Sequence, residues 1–140
     1  MTPDTLLELV QHLTTQTLEL ASVEKLVGGT FTHADAAAYI EHTAVDAPGF
    51  ARVWLQEPRA GATFSPRLSL RVDASVCATW DQARARFGFG AKVPVHPGVA
   101  QPPDDWWQYP QVTATRLSLS FDRVTGCLTE VSVHPPTAAP

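Results

Sequence analysis

The side chains able to do chemistry are scattered along the chain. Five histidines stand at His12, His33, His42, His96 and His134. None belongs to an HExxH motif or an evident three-histidine cluster, so no metal site and no cofactor are expected. His96 lies in a proline-rich stretch with Asp104 and Asp105, where an imidazole and a carboxylate would suit a general-base pair or a two-ligand fragment. A working active site needs more converging groups than these. Cys77 and Cys127 are 50 residues apart without a CxxC or a Cys-His family signature, and are expected to be reduced, buried thiols. There is no G-x-S-x-G elbow. Gly88-Phe-Gly90-Ala-Lys92 follows a helix, whereas phosphate is held by the free amides that begin one. No catalytic residue is assigned.

The most informative local feature is Asp104-Asp105-Trp106-Trp107-Gln108-Tyr109. Large rigid aromatics lose little entropy when they are fixed, so they anchor interfaces as well as cores. With Asp104 and Asp105 as an acidic rim, Trp106, Trp107 and Tyr109, together with His96, form the candidate contact surface for a protein with a basic face.

The elements that must position these residues follow from patterning. Thr2-Pro3-Asp4 starts a helix with Leu6, Leu9, Val10 and Leu13 on one face. A further turn is expected around Val23 to Val27, ended by Gly28-Gly29. Thr32 and Asp35 predict a second capped helix to about Thr43, carrying Ala36, Ala37, Ala38 and Ile40. Strands are predicted over Phe50 to Gln56 and Arg67 to Asp73. The alternation in the second puts Leu68, Leu70 and Val72 on one face, and Arg67 and Arg71 on the other, which is wet or binds something. Thr79-Trp-Asp-Gln82 is a capping box, and Gly88 ends that helix. Five prolines between Phe89 and Gln111 predict a long loop, with a short edge strand at its aromatic knot. Thr115 to Phe121, a turn at Asp122 to Gly126, and Cys127 to Val133 form the clearest hairpin.

A single α+β domain over residues 1–134 is therefore expected, with a four- or five-stranded antiparallel sheet, helices packed mainly on one face, and a disordered tail at 135–140. The order α-β-β, then α-β-β-β, also admits a loose duplication of 30–74 and 78–134. At 140 residues, 44% hydrophobic and 17% charged, the composition is that of one globular domain. The net charge of −4 argues against a general nucleic-acid binder. Its distribution is uneven, because residues 1–50 carry seven acids against Lys25 alone, whereas residues 51–92 carry seven bases against three acids. A basic face for an acidic partner is one reading of this asymmetry, and acidic and basic parts lying side by side is the other. No apolar run is long enough to span a bilayer, and the first base is Lys25, without the basic start of a signal peptide, so a cytoplasmic location is expected.

Thr79, Trp80, Phe87 and Gly88 of the helix, then Trp107-Gln-Tyr109, then Leu117-Ser-Leu-Ser-Phe121-Asp-Arg-Val-Thr-Gly126, give the second half a layout that resembles a known unit. It is the helix-then-strands unit of the bacterial outer-membrane assembly lipoproteins and the β-lactamase inhibitory protein superfamily. The chain departs from that pattern in having no lipobox and in its prolonged loop from Gly90 to Pro103. The resemblance implies a scaffold that binds proteins without catalysis. The function expected is that of a bacterial immunity-type inhibitor, which blocks a toxin or effector enzyme by occlusion. The alternative is a small-molecule-binding protein or enzyme, with a pocket between the sheet and the 90–111 loop that uses His96, Asp104 or Arg71.

Overall fold

The computed structural model describes residues 1–89, 93–94, 105–108, 111–112 and 115–135, the three short internal segments by backbone alone. Helices α1 (Pro3–Leu13), α2 (Leu20–Val27) and α3 (Trp80–Phe87) combine with a single antiparallel sheet. Six strands carry that sheet among the residues whose side chains are described. They are β1 (Thr32–Asp35), β2 (Tyr39–Ala44), β3 (Phe50–Pro58), β4 (Arg67–Val72), β8 (Thr115–Asp122) and β9 (Leu128–His134). Short segments β5 (Val93–Pro94), β6 (Asp105–Gln108) and β7 (Gln111–Val112) extend it beside β8. The order is β1-β2-β3-β4-β9-β8-β6-β5, with β7 also on β8. The α+β class holds, and the sheet is larger than the expected four or five strands.

The difference in strand number arises at residues 32–44. These form the β1–β2 hairpin in place of the helix predicted there. Ala36 to Ala38 supply its turn, closed by the Ala36 N–H on the Tyr39 carbonyl at 2.9 Å. Thr32 caps nothing; its hydroxyl donates to the Thr43 carbonyl across the pair. Alanine is the best helix former, but intrinsic propensity is a weak preference that tertiary pairing overrides. That preference yields to the period of two in Ile40, His42 and Ala44, which presents one face of β2 to the core while β2 pairs along β3. Residues 32–73 thus hold four strands and no helix, so the α-β-β order read there is not the order of the structure.

All three helices pack on one face of the sheet. Leu6, Leu7, Val10 and Leu13 of α1 join Val23 and Val27 of α2 and Trp80 and Ala83 of α3 in a core with Leu55, Leu70, Leu119 and Val131 from the strands. Helix α1 begins as its sequence predicts, with the Thr2 hydroxyl accepting from the Thr5 N–H and Pro3 in the first turn. Its C-terminal end is tied down by the buried Thr115 hydroxyl, which donates to the Thr14 carbonyl at 3.0 Å. Helix α3 carries the full capping box between Thr79 and Gln82. It stops where Gly88 adopts φ 72°, a left-handed conformation that glycine takes without steric cost. Trp80 meets Phe121 and Phe89 edge-on at 5.0 and 4.9 Å.

Cys77 and Cys127 form a disulfide, with Cα atoms 4.9 Å apart, correcting the expectation of free thiols. Both residues are half-buried. Sequence separation hid the pairing, because the strand turn at Gly126 returns the chain beside the start of α3. There the Trp80 N–H donates to the Gly126 carbonyl, and the Leu128 N–H donates to the Ala78 carbonyl. No described helix is long and apolar enough to cross a membrane.

Candidate functional site

The helices cover one face of the sheet, and the strands present an ordered set of polar side chains on the other. Cross-strand register arranges these in three rows. The first aligns Arg52, Arg71, Glu130 and Ser120. The middle row runs Thr43, Trp54, Ser69, Ser132 and Ser118. In the third, Glu41 opposes Gln56, which opposes Arg67, and Arg116 opposes His134 on the far strands. The period of two places each set away from the core, because Leu55, Leu68, Leu70, Leu117, Val131 and Val133 occupy the alternate positions and are buried.

The result is a trough. Ser69 and Ser132 lie in its floor and line an open cleft with Arg52, Trp54, Arg71 and Glu130, whereas Ser118 and Ser120 are buried, at 8% and 1% exposed. Trp54 is half-buried at one end, with the Arg52 guanidinium 5.4 Å from its ring centre. Arginines rise on both sides, and Arg52, Arg67, Arg71 and Arg116 are all exposed. Arg71 pairs with Glu130 at 2.7 Å. Neither Arg67 nor Arg116 forms an ion pair with a described residue. His134 lies between these two on the sheet, and its Nε2 is 3.5 Å from the Ser118 hydroxyl. Burial pushes the His134 pKa below the usual histidine value, and the Arg67 and Arg116 charges push it further the same way. Burial and both cations thus act in the same direction, favouring the neutral ring.

Asp105, Trp106 and Trp107 lie on β6, where their backbones pair with Asp122, Phe121 and Ser120 of β8. The aromatic stretch is thus built into the sheet, and β5 lies outside it. His96, Asp104 and Tyr109 lie outside the described residues. Arg71, named for a small-molecule pocket, lines an open cleft of about 440 Å³ with Asp73, Val76, Asp122, Cys127 and Glu130. Sequence reasoning placed Arg67 and Arg71 together on the outer face and missed Arg52, Trp54, Arg116 and His134. The signal for these was the same alternation in β3, β8 and β9, but only the strand order shows that it forms one surface.

Among the described residues, no group of three or more His, Cys, Asp or Glu side chains is placed to hold a metal ion. The groups on this face are suited to binding: guanidinium donors, hydroxyls and one aromatic plate. No family model, curated protein or solved structure matches the chain. The functional assignment accordingly rests on the residues of the site.

Proposed function

We propose that the chain is a non-catalytic protein-binding domain, whose sheet face opposite the three described helices docks an acidic segment of its partner. The observation that carries this is the placement of the exposed Arg52, Arg67, Arg71 and Arg116 around Ser69 and Ser132, with Trp54 beside them. Arginine and tryptophan are the residues most often found at energetic hot spots, and a guanidinium meets a carboxylate through two parallel hydrogen bonds. A rigid sheet loses little conformational freedom on binding, which favours affinity. The immunity-type inhibitor, which covers a toxin or effector enzyme, is a particular form of this function. Occlusion requires a stiff, broad surface and no reactive group. The acidic partner is read from this face, and the basic partner expected for the acidic aromatic stretch is a separate proposal. The Cys77–Cys127 disulfide favours an oxidising compartment over the cytoplasm.

The test uses a defined acidic probe, an oligoglutamate peptide, titrated into the full chain at low salt and followed residue by residue by NMR. Shifts are expected along β3, β4, β8 and β9, with affinity falling as salt rises. The double variant R67E/R116E should weaken binding roughly tenfold or more, because it replaces attraction by repulsion at two exposed positions. D104K/D105K should leave this binding in place. Retention by the arginine variant would refute the assignment, as would an equal response to a single-stranded oligonucleotide of matched charge.

A further inference from the structure

We infer that His33 and His42, on the helix-packed side of the β1–β2 hairpin, form a binding site for a divalent transition ion of the zinc class, independent of the arginine face. The two residues are direct cross-strand partners. Their Nδ1 atoms face each other at 2.5 Å. The rings meet nearly at right angles, with centres 4.7 Å apart. His42 is 6% exposed, whereas His33 is exposed on the terminal strand of the sheet.

What distinguishes this pair from two histidines that merely touch is the support behind it. The Glu57 carboxylate lies 3.4 Å from His42 Nε2. The same Glu57 oxygen accepts the Leu20 N–H at the start of α2, which fixes the carboxylate in turn. Glu57 faces the Nε2 side of the His42 ring, and the opposite nitrogen, Nδ1, is the one turned towards His33. Carboxylate, then imidazole, then an open lone pair is the arrangement by which proteins orient a metal-binding histidine. Binding an ion here requires both rings to carry their proton on Nε2, which leaves both Nδ1 lone pairs free to donate.

Zinc binds imidazole nitrogen at about 2.0–2.1 Å with tetrahedral angles, which sets two such nitrogens about 3.3 Å apart. The gap must widen by under about 1 Å. That movement falls to His33, since His42 is held from behind by Glu57. With two protein ligands, the remaining positions belong to water or to an external donor, and the site lies open to solvent on the His33 side. Imidazole ligands without thiolate select zinc, copper or nickel over magnesium and calcium. The cysteines do not compete, because both are in the disulfide.

The experiment is calorimetric titration of the disulfide-intact full chain with Zn2+ at neutral pH, alongside an NMR spectrum of the imidazole nitrogens. One ion per chain is expected, with the largest shifts at Nδ1 of His33 and His42. H33A alters an exposed side chain and should bind at least tenfold more weakly. E57Q removes the charge behind His42, whose positioning it should loosen, and should weaken binding roughly tenfold while leaving the one-to-one ratio. Absence of saturable binding up to about 1 mM Zn2+ would overturn the assignment. Binding by H33A equal to that of the unmodified chain, or shifts centred on His12 or His134, would do the same.

Discussion

His134 shows how one residue can report on the surface around it. Its lowered pKa arises first from burial and then from Arg67 and Arg116. Between the depressed folded value and the ordinary value near 6.5, the unfolded chain binds the proton and the folded chain does not. Stability therefore rises with pH across that window, and falls as pH drops below about 6.5 until the folded value is passed. H134Q should flatten that part of a urea-denaturation profile measured between pH 7 and 5. A bound carboxylate offsets the two arginine charges, so oligoglutamate should raise the His134 pKa in the unmodified chain, read from its ring-proton shifts. No change on saturation would place the anion away from Arg67 and Arg116. At this scale the sequence identified only part of the site. Arg67 and Arg71 were legible because Leu68, Leu70 and Val72 alternate with them. Arg52 was not, because β3 shifts register between Phe50 and Arg52 and so breaks the period that would have assigned it.

Among the elements, local signals succeeded where capping chemistry decided the structure. The Thr79 box and Gly88 stop were readable, since both depend on hydrogen bonds within a few residues. The β1–β2 hairpin was not, because Thr32 and Asp35 also look like a helix start and three alanines follow. Pairing of β2 along β3 outweighs those preferences, and β1 is held in turn by β2. The disulfide was invisible for the same reason, being created by the return of β9 to the start of α3. It should contribute about 4 kcal/mol by restricting the unfolded chain across 50 residues. The C77S/C127S double variant, compared with the intact chain by urea denaturation, should lose roughly 2–5 kcal/mol. A loss under about 0.5 kcal/mol would mean that the bridges between Ala78, Trp80, Gly126 and Leu128 hold the junction unaided.

For the molecule as a whole, the uneven charge along the chain becomes a polarity across the sheet. Asp4, Glu8, Glu19, Glu24 and Asp81 outnumber Lys25, Arg84 and Arg86 in the helical layer and its entry, while four arginines outnumber Glu41 and Glu130 on the opposite face. Salt bridges do not close most of that separation. Such a field orients an approaching acidic partner towards the arginine side and speeds encounter at low ionic strength. The disulfide has a second meaning at this scale. It closes a covalent ring from Cys77 to Cys127 that contains α3, β5, β6, β7 and β8. A single peptide-bond cut anywhere inside that ring opens it without separating the pieces. Limited proteolysis within the ring should therefore leave one band on a non-reducing gel and two after reduction. The chain can thus be severed in its middle and still travel as one molecule, with the core strands β4 and β9 on opposite sides of the cut held to each other by sulfur.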